Sequence, residues 1–134
     1  MSQIKQKISI RIYYEDTDSL GLVYYANYLK YFERARTEFF RNMGYELSYI
    51  SESLNVFFVV RSCNIKFISP AKFNDKIDVI SNIKYLKKKL IQFEQKIELD
   101  GMILVKGVIN LACISKAGHA TVLPELIYNS LKNK

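Results

Sequence analysis

The run YEDTDSLGLVYYANY, residues 14–28, crowds Glu15, Asp16 and Asp18 beside Gly21 and then brings Tyr24, Tyr25, Asn27 and Tyr28 in quick succession. Acids this close repel one another, so part of the run must be turn chemistry: an Asx-type reversal in which Asp16 or Asp18 bonds the backbone and Gly21 closes the bend. Glu15 and Asp16 are read that way. Asp18 is not, because a helical pattern begins soon after it. Free backbone N–H groups and the positive end of a helix dipole can hold an oxyanion there. A carboxylate facing such an anion hole serves as a nucleophile or as a general base on water. Acyl transfer needs both features, and one short segment supplies them.

A second cluster, Lys84, Lys87, Lys88 and Lys89 in NIKYLKKKL, reads on composition as a solvated hairpin turn. As chemistry it reads as a clamp for the phosphates of a nucleotide-bearing substrate, a reading that gains weight only if the acidic loop handles such a molecule. Other chemistries fall away. His119, the only histidine, lies in the loop KAGHAT and is expected to be solvated. Cys63 and Cys113 have no C-x-x-C spacing, so no metal site is expected. Both thiols lie in apolar runs and are expected to be buried and reduced. No phosphate-cradling glycine motif is present, and no cofactor is implied.

The elements that must position these residues follow from periodicity. KISIRIY alternates Ile8, Ile10 and Ile12 with polar residues, the pattern of a half-buried strand. From Asn27 the steps become four and three: Tyr28, Phe32, Ala35, Phe39 and Met43, joined by Leu29 and Phe40. This predicts a helix of about four turns with Asn27 as N-cap and Gly44 at the position after the C-cap. The connection YELSYISESLN leads to four predicted strands: Val56 to Ser69, Asp75 to Tyr85 (through Ile77, Val79, Ile83 and Tyr85), Lys89 to Leu99 and Met102 to Ser115. Asp100-Gly101 is the strongest hairpin signal. Pro124 opens a short C-terminal helix, LPELIYNSL. The fold class is α+β, a five-stranded antiparallel sheet wrapped around one long helix, as a single domain over residues 1–134. Such a sheet leaves an edge strand of the kind paired across a dimer.

Composition narrows the partners. The chain has 134 residues and a formal charge of +7, so its surface attracts polyanions without choosing among them. No segment approaches the ~20 uncharged apolar residues of a membrane span. The charged start MSQIKQKISIRIYYED lacks the pattern of a signal peptide, and a cytoplasmic location is expected.

The segment RIYYEDTDSLGLVYYANYLKYFERARTEFF closely resembles the signature of hotdog-fold acyl-CoA thioesterases of the 4-hydroxybenzoyl-CoA thioesterase family, nearest to its Tol-Pal-associated branch. The D-x-D-x-x-G-x-V-x-Y-x-N-Y core stands here as Asp16, Asp18, Gly21, Val23, Tyr25, Asn27 and Tyr28. IKFISPAKFNDKI, with Pro70, Ala71 and Asp75, is similar to the strand-end motif of the same branch. The resemblance implies that Asp18 is the catalytic aspartate and that the Tyr25 N–H polarises the thioester carbonyl. It places Asn27 at the loop-to-helix junction and Lys87 and Lys88 near basic positions that some members use for coenzyme A phosphates; Lys89 completes the candidate clamp as part of the lysine cluster. It further implies a homodimer or homotetramer with sites between subunits. The substrate it implies is an acyl-CoA of short to medium chain length, or an acyl carrier protein thioester. Tyr25 departs from the branch, which usually has His there.

Two other readings are weaker. A hotdog dehydratase needs a histidine that neither loop nor helix supplies. A nucleic-acid module would show an aromatic strand motif that is missing. The alternative to an enzyme is a non-catalytic adaptor that binds acyl carrier protein or cell-envelope proteins through its basic face.

Overall fold

The computed structural model describes residues 5–132. The chain runs β1 (Lys5–Arg11), a 3-10 turn (Tyr14–Asp16), α1 (Asn27–Asn42), α2 (Leu47–Ser53), β2 (Val56–Phe67), β3 (Lys76–Lys87), β4 (Leu90–Leu99), β5 (Met102–Ser115) and α3 (Glu125–Lys132). The strands form one sheet in the order β1-β3-β4-β5-β2, every neighbouring pair antiparallel. α1 lies on the inner face, and the expected α+β layering is the observed one.

Alternation explains which residues face α1. Ile77 and Val79 of β3, Ile91, Phe93 and Ile97 of β4, and Val105, Ile109, Leu111 and Cys113 of β5 are buried at every second position. Against them α1 buries Tyr28, Tyr31, Phe32, Ala35, Phe39 and Phe40. Phe39 meets Phe93 edge-on at 5.1 Å, and Phe40 stacks on Phe58 at the same distance. Each fully buried ring contributes roughly 1.5–3 kcal/mol over its exposed state. The helix ends as predicted: Gly44 has φ +97°, its N–H reaches the Arg41 carbonyl, and the Tyr45 N–H reaches that of Phe40. That is a Schellman closure. The Asp100–Gly101 turn closes β4 onto β5 with positive φ at both residues.

Several expectations fail for local reasons. Asn27 is not the N-cap: it is the first helical residue, Ala26 precedes it in helical geometry, and no side chain caps the start. Leu29 is exposed, because the buried stripe runs through Tyr28, Tyr31 and Phe32 instead. YELSYISESLN is not merely a connection, since residues 47–53 form α2, packed through Ile50. A bulge between Ile83 and Tyr85 turns Tyr85 outward and lets Leu86 pack inward. Cys63 is exposed while Cys113 is buried; β2 is one of the two edge strands, and its middle is exposed among the described residues. Burial pushes the Cys113 thiol up to about 11. His119 is exposed, as expected.

Candidate active site

The acidic run folds back on itself before the helix begins. Asp16 Oδ2 accepts the Tyr13 N–H at 2.9 Å, which closes the 3-10 turn. Asp18 Oδ1 accepts two amides, Leu20 N–H at 2.9 Å and Leu22 N–H at 3.3 Å, while the Asp18 N–H donates to the Leu22 carbonyl at 2.8 Å. The reversal needs the left-handed backbone of Gly21, at φ +77°. Asp18 therefore does turn work with one carboxylate oxygen. Its Oδ2 makes no hydrogen bond among the described residues, and the side chain is exposed.

The loop is bound to the helix start and to the chain ahead of β3. The Asp16 carbonyl accepts both the Tyr24 N–H at 3.0 Å and the Asn27 side-chain amide at 2.8 Å. Asn27 thus serves the junction from inside the helix. Val23 N–H donates to Ala71, Phe73 N–H donates to Gly21, and the Tyr28 hydroxyl accepts the Ala71 N–H at 3.0 Å. Among the described residues neither the Tyr25 nor the Ala26 N–H finds an acceptor. These are the orphan donors of a helix start. The Tyr25 ring, 61% exposed, leans on Tyr24 and meets Phe67 edge-on at 6.1 Å. One set of hydrogen bonds therefore ties the turn that carries Asp18 to Tyr24 and Asn27 at the helix start, the two residues that flank Tyr25 and Ala26.

The lysines are not. Lys87 ends β3, and Lys88 and Lys89 form the turn into β4. Eleven steps of β3 separate Lys76 from Lys87, about 36 Å at the usual strand rise. The acidic loop is fixed at the near end and the lysine turn lies at the far end of the same chain. There Lys88 Nζ rests 4.7 Å from the Tyr128 ring centroid, and the Lys88 carbonyl accepts the Leu123 N–H at 2.7 Å. Lys84 faces Glu94 across the strands at 3.8 Å.

Two features escaped the periodicity reading. Arg36 is buried on α1, where Nη1 donates to Gln95 Oε1 at 3.0 Å; Gln95 Nε2 donates in turn to the Phe32 carbonyl and Ser81 Oγ. Burial lowers the Arg36 pKa. Gln95 was legible as the one polar residue on the inward face of β4. Arg36 and Glu33 line a cavity of about 610 Å³ between α1, α2 and β2, with Phe40, Ile50, Val56 and Phe58 among its apolar walls. The second feature is Tyr31. Its buried hydroxyl makes no hydrogen bond of sound geometry among the described residues; burial, then the nearby Asp16 carboxylate, holds the phenol well above the usual tyrosine range.

The chemistry on offer is a half-free carboxylate, two unused amides at a helix start and an apolar cavity farther along that helix. The family model of the thioesterase superfamily matches residues 20–106. The chain belongs to the thioesterase superfamily. This thioesterase is 37% identical over 105 residues to "Acyl-CoA thioesterase YbgC" of Haemophilus influenzae, covering 78% of the chain and 77% of that protein. A probable thioesterase from Bartonella henselae, 32% identical, superposes with a TM-score of 0.87 over 90% of this chain and 100% of the other. A mutant of 4-hydroxybenzoyl-CoA thioesterase in complex with 4-hydroxybenzoyl-CoA superposes with a TM-score of 0.87 at 18% identity, over 95% of this chain and 98% of that one. That likeness carries the fold alone: the sheet around α1 is the hotdog fold. The enzyme is a thioester hydrolase. No helix among the described residues is long and apolar enough to cross a membrane, and none of their His, Cys, Asp and Glu side chains cluster into a metal site.

Proposed function

We propose that this acyl-CoA thioesterase hydrolyses its substrate with Asp18 as the acting carboxylate and the Tyr25 and Ala26 N–H groups at the start of α1 as the oxyanion site. The observation that carries the reading is the division of labour at Asp18, where Oδ1 is held by two amides and Oδ2 is left open, in a loop whose Asp16 carbonyl is hydrogen-bonded to the start of the helix that carries the unused donors. A fixed carboxylate with one free oxygen attacks the thioester carbonyl or takes the proton from an attacking water. Developing charge on the carbonyl oxygen meets donors that need no reorganisation. With water as nucleophile, the tetrahedral intermediate expels the thiolate of coenzyme A, which takes up the proton held by Asp18, and leaves the free acid. With Asp18 as nucleophile, it leaves an acyl–aspartyl anhydride that water then hydrolyses to the free acid and the Asp18 carboxylate.

The apolar cavity along α1 is the place for the acyl chain. Its nearest wall residue on the helix, Glu33, lies seven residues beyond Ala26, about 10 Å along the axis, which suits short to medium chains. The working unit is a homodimer or homotetramer of a single hotdog domain. Support comes from β2, an edge strand on which Phe57, Val60 and Phe67 are exposed, with Phe67 against the exposed Tyr25 ring. Lys87, Lys88 and Lys89 clamp coenzyme A phosphates from a neighbouring protomer, since their own site is a strand length away. The cytoplasm, where acyl-CoA is made and used, is the proposed location, and acyl carrier protein is a second thioester carrier.

The test is an assay of the purified protein on acyl-CoA thioesters of graded chain length. Release of free coenzyme A with kcat/KM falling beyond medium chains is expected. No release from any of them would leave the adaptor reading in its place.

A further inference from the structure

We infer that the outer face of the sheet, opposite α1, carries an anion site for phosphate groups, centred on Lys66, Lys96 and Lys106. The strand register puts Lys66 of β2 opposite Lys106 of β5, and Lys106 opposite Lys96 of β4. The same row continues through Ile80 to Lys7 of β1. Neighbouring strands lie about 4.8 Å apart, and like charges directly opposite destabilise a sheet. Three lysines in consecutive register positions are therefore a cost to folding that an anion would remove.

Compensation within the chain is incomplete. Lys96 Nζ lies 3.8 Å from Glu98, and Glu94, on the next row, is shared with Lys84 at 3.8 Å. Lys66 and Lys106 have no ion pair among the described residues. Between the strands the surface forms a concavity of about 250 Å³ lined by these three lysines, Asn64, Glu94 and Val108 among others. That is below the ~300–1,000 Å³ of sites that enclose a whole small molecule. It suits a phosphate or diphosphate group, which the lysines meet as point charges and the Asn64 amide meets as a donor. Glu94 in the wall opposes any anion, and its charge is partly offset by Lys84 at 3.8 Å. The site lies on the face of the sheet that the proposed thioester chemistry does not use, so it can be tested without an activity assay.

The test is thermal unfolding of the full chain at constant ionic strength, with and without pyrophosphate, for wild type, Lys106→Gln and the Lys66→Gln/Lys96→Gln/Lys106→Gln variant. Without pyrophosphate, Lys106→Gln is expected to melt higher than wild type, because the central repulsion is gone. With pyrophosphate, wild type is expected to gain ~5 °C or more by linkage while the triple variant gains less than about a third of that. Repeating the series with adenosine 3′,5′-bisphosphate and with phosphatidylglycerol vesicles separates a soluble phosphate ester from a lipid headgroup. Equal responses of wild type and triple variant to pyrophosphate would overturn the site. So would a lower melting temperature for Lys106→Gln alone.

Discussion

The two ends of β3 each lie beside a cluster of like charges, and the fold uses the two clusters differently. The acidic loop is hydrogen-bonded to the chain ahead of β3, and the lysines follow its end in sequence. At the lysine end the fold engages Lys88, whose ammonium covers Tyr128 and whose carbonyl anchors the chain at Leu123, while the Lys87 and Lys89 ammonium groups make no ion pair among the described residues. At the acidic end polar groups are left over, with one Asp18 oxygen and the Tyr25 and Ala26 amides without partners among the described residues. Clustered charge marks both ends, but among the described residues only the acidic end combines a free carboxylate oxygen with free helix-start amides. Asp18 and Tyr25 are exposed and Ala26 is partly so, so water can pair these groups without cost to the fold and can be displaced from them.

The sharpest way to break this contrast is Asp18→Ala. It removes the acting carboxylate and both acceptor bonds of the loop, so kcat should fall by at least ~100-fold and stability by roughly 1–3 kcal/mol. Steady-state kinetics with a melting curve reads both, and an active Ala variant would erase the distinction between the two ends. Next in size, replacing Lys87, Lys88 and Lys89 together by Ala should raise KM for acyl-CoA several-fold with kcat little changed, since remote phosphate contacts hold ground and transition states alike. An unchanged KM would make that turn purely structural.

Tyr31→Phe sharpens the contrast from the other side. It deletes a buried hydroxyl that lies by the Asp16 carboxylate but makes no hydrogen bond of sound geometry among the described residues, so the protein should gain about 1 kcal/mol, seen as a higher melting temperature with unaltered turnover. A drop in kcat would show that the hydroxyl serves Asp16 during the reaction. The smallest effect belongs to Tyr25→Phe. Its amide and its contact with Phe67 both survive, so kcat and KM should stay within about twofold of wild type. A tenfold fall at an unchanged melting temperature would assign the phenol a part in the chemistry.

Much of the scaffold was legible because its signals are local. Alternation through Ile77 and Val79, the helical steps from Tyr28 to Phe39, and the Asp100–Gly101 turn need no knowledge of the rest of the chain. What escaped depends on tertiary partners. Asn27 has the chemistry of an N-cap, but the Asp16 carbonyl lies within its reach and takes its amide instead. α2 buries only Ile50, too little for LSYISES to show a stripe. Cys63 sits in an apolar run whose burial depends on which strand forms the sheet edge, and strand order is not a local property. The site divides the same way. Asp18 was legible because turn and helix start adjoin it in sequence, whereas the separation of the lysines from it is a length along β3 that composition does not express.

The most direct test is Asp18→Asn, which separates turn from chemistry in a single residue. Asparagine keeps an oxygen that can accept the Leu20 and Leu22 amides, so the loop and the melting temperature should survive, and acyl-CoA should still bind with a Kd near that of the wild type. Turnover should fall by at least ~100-fold, because the amide can neither attack nor take a proton. A folded Asp18→Asn protein that binds acyl-CoA and hydrolyses it at a near wild-type rate would contradict the assignment of Asp18 as the acting group.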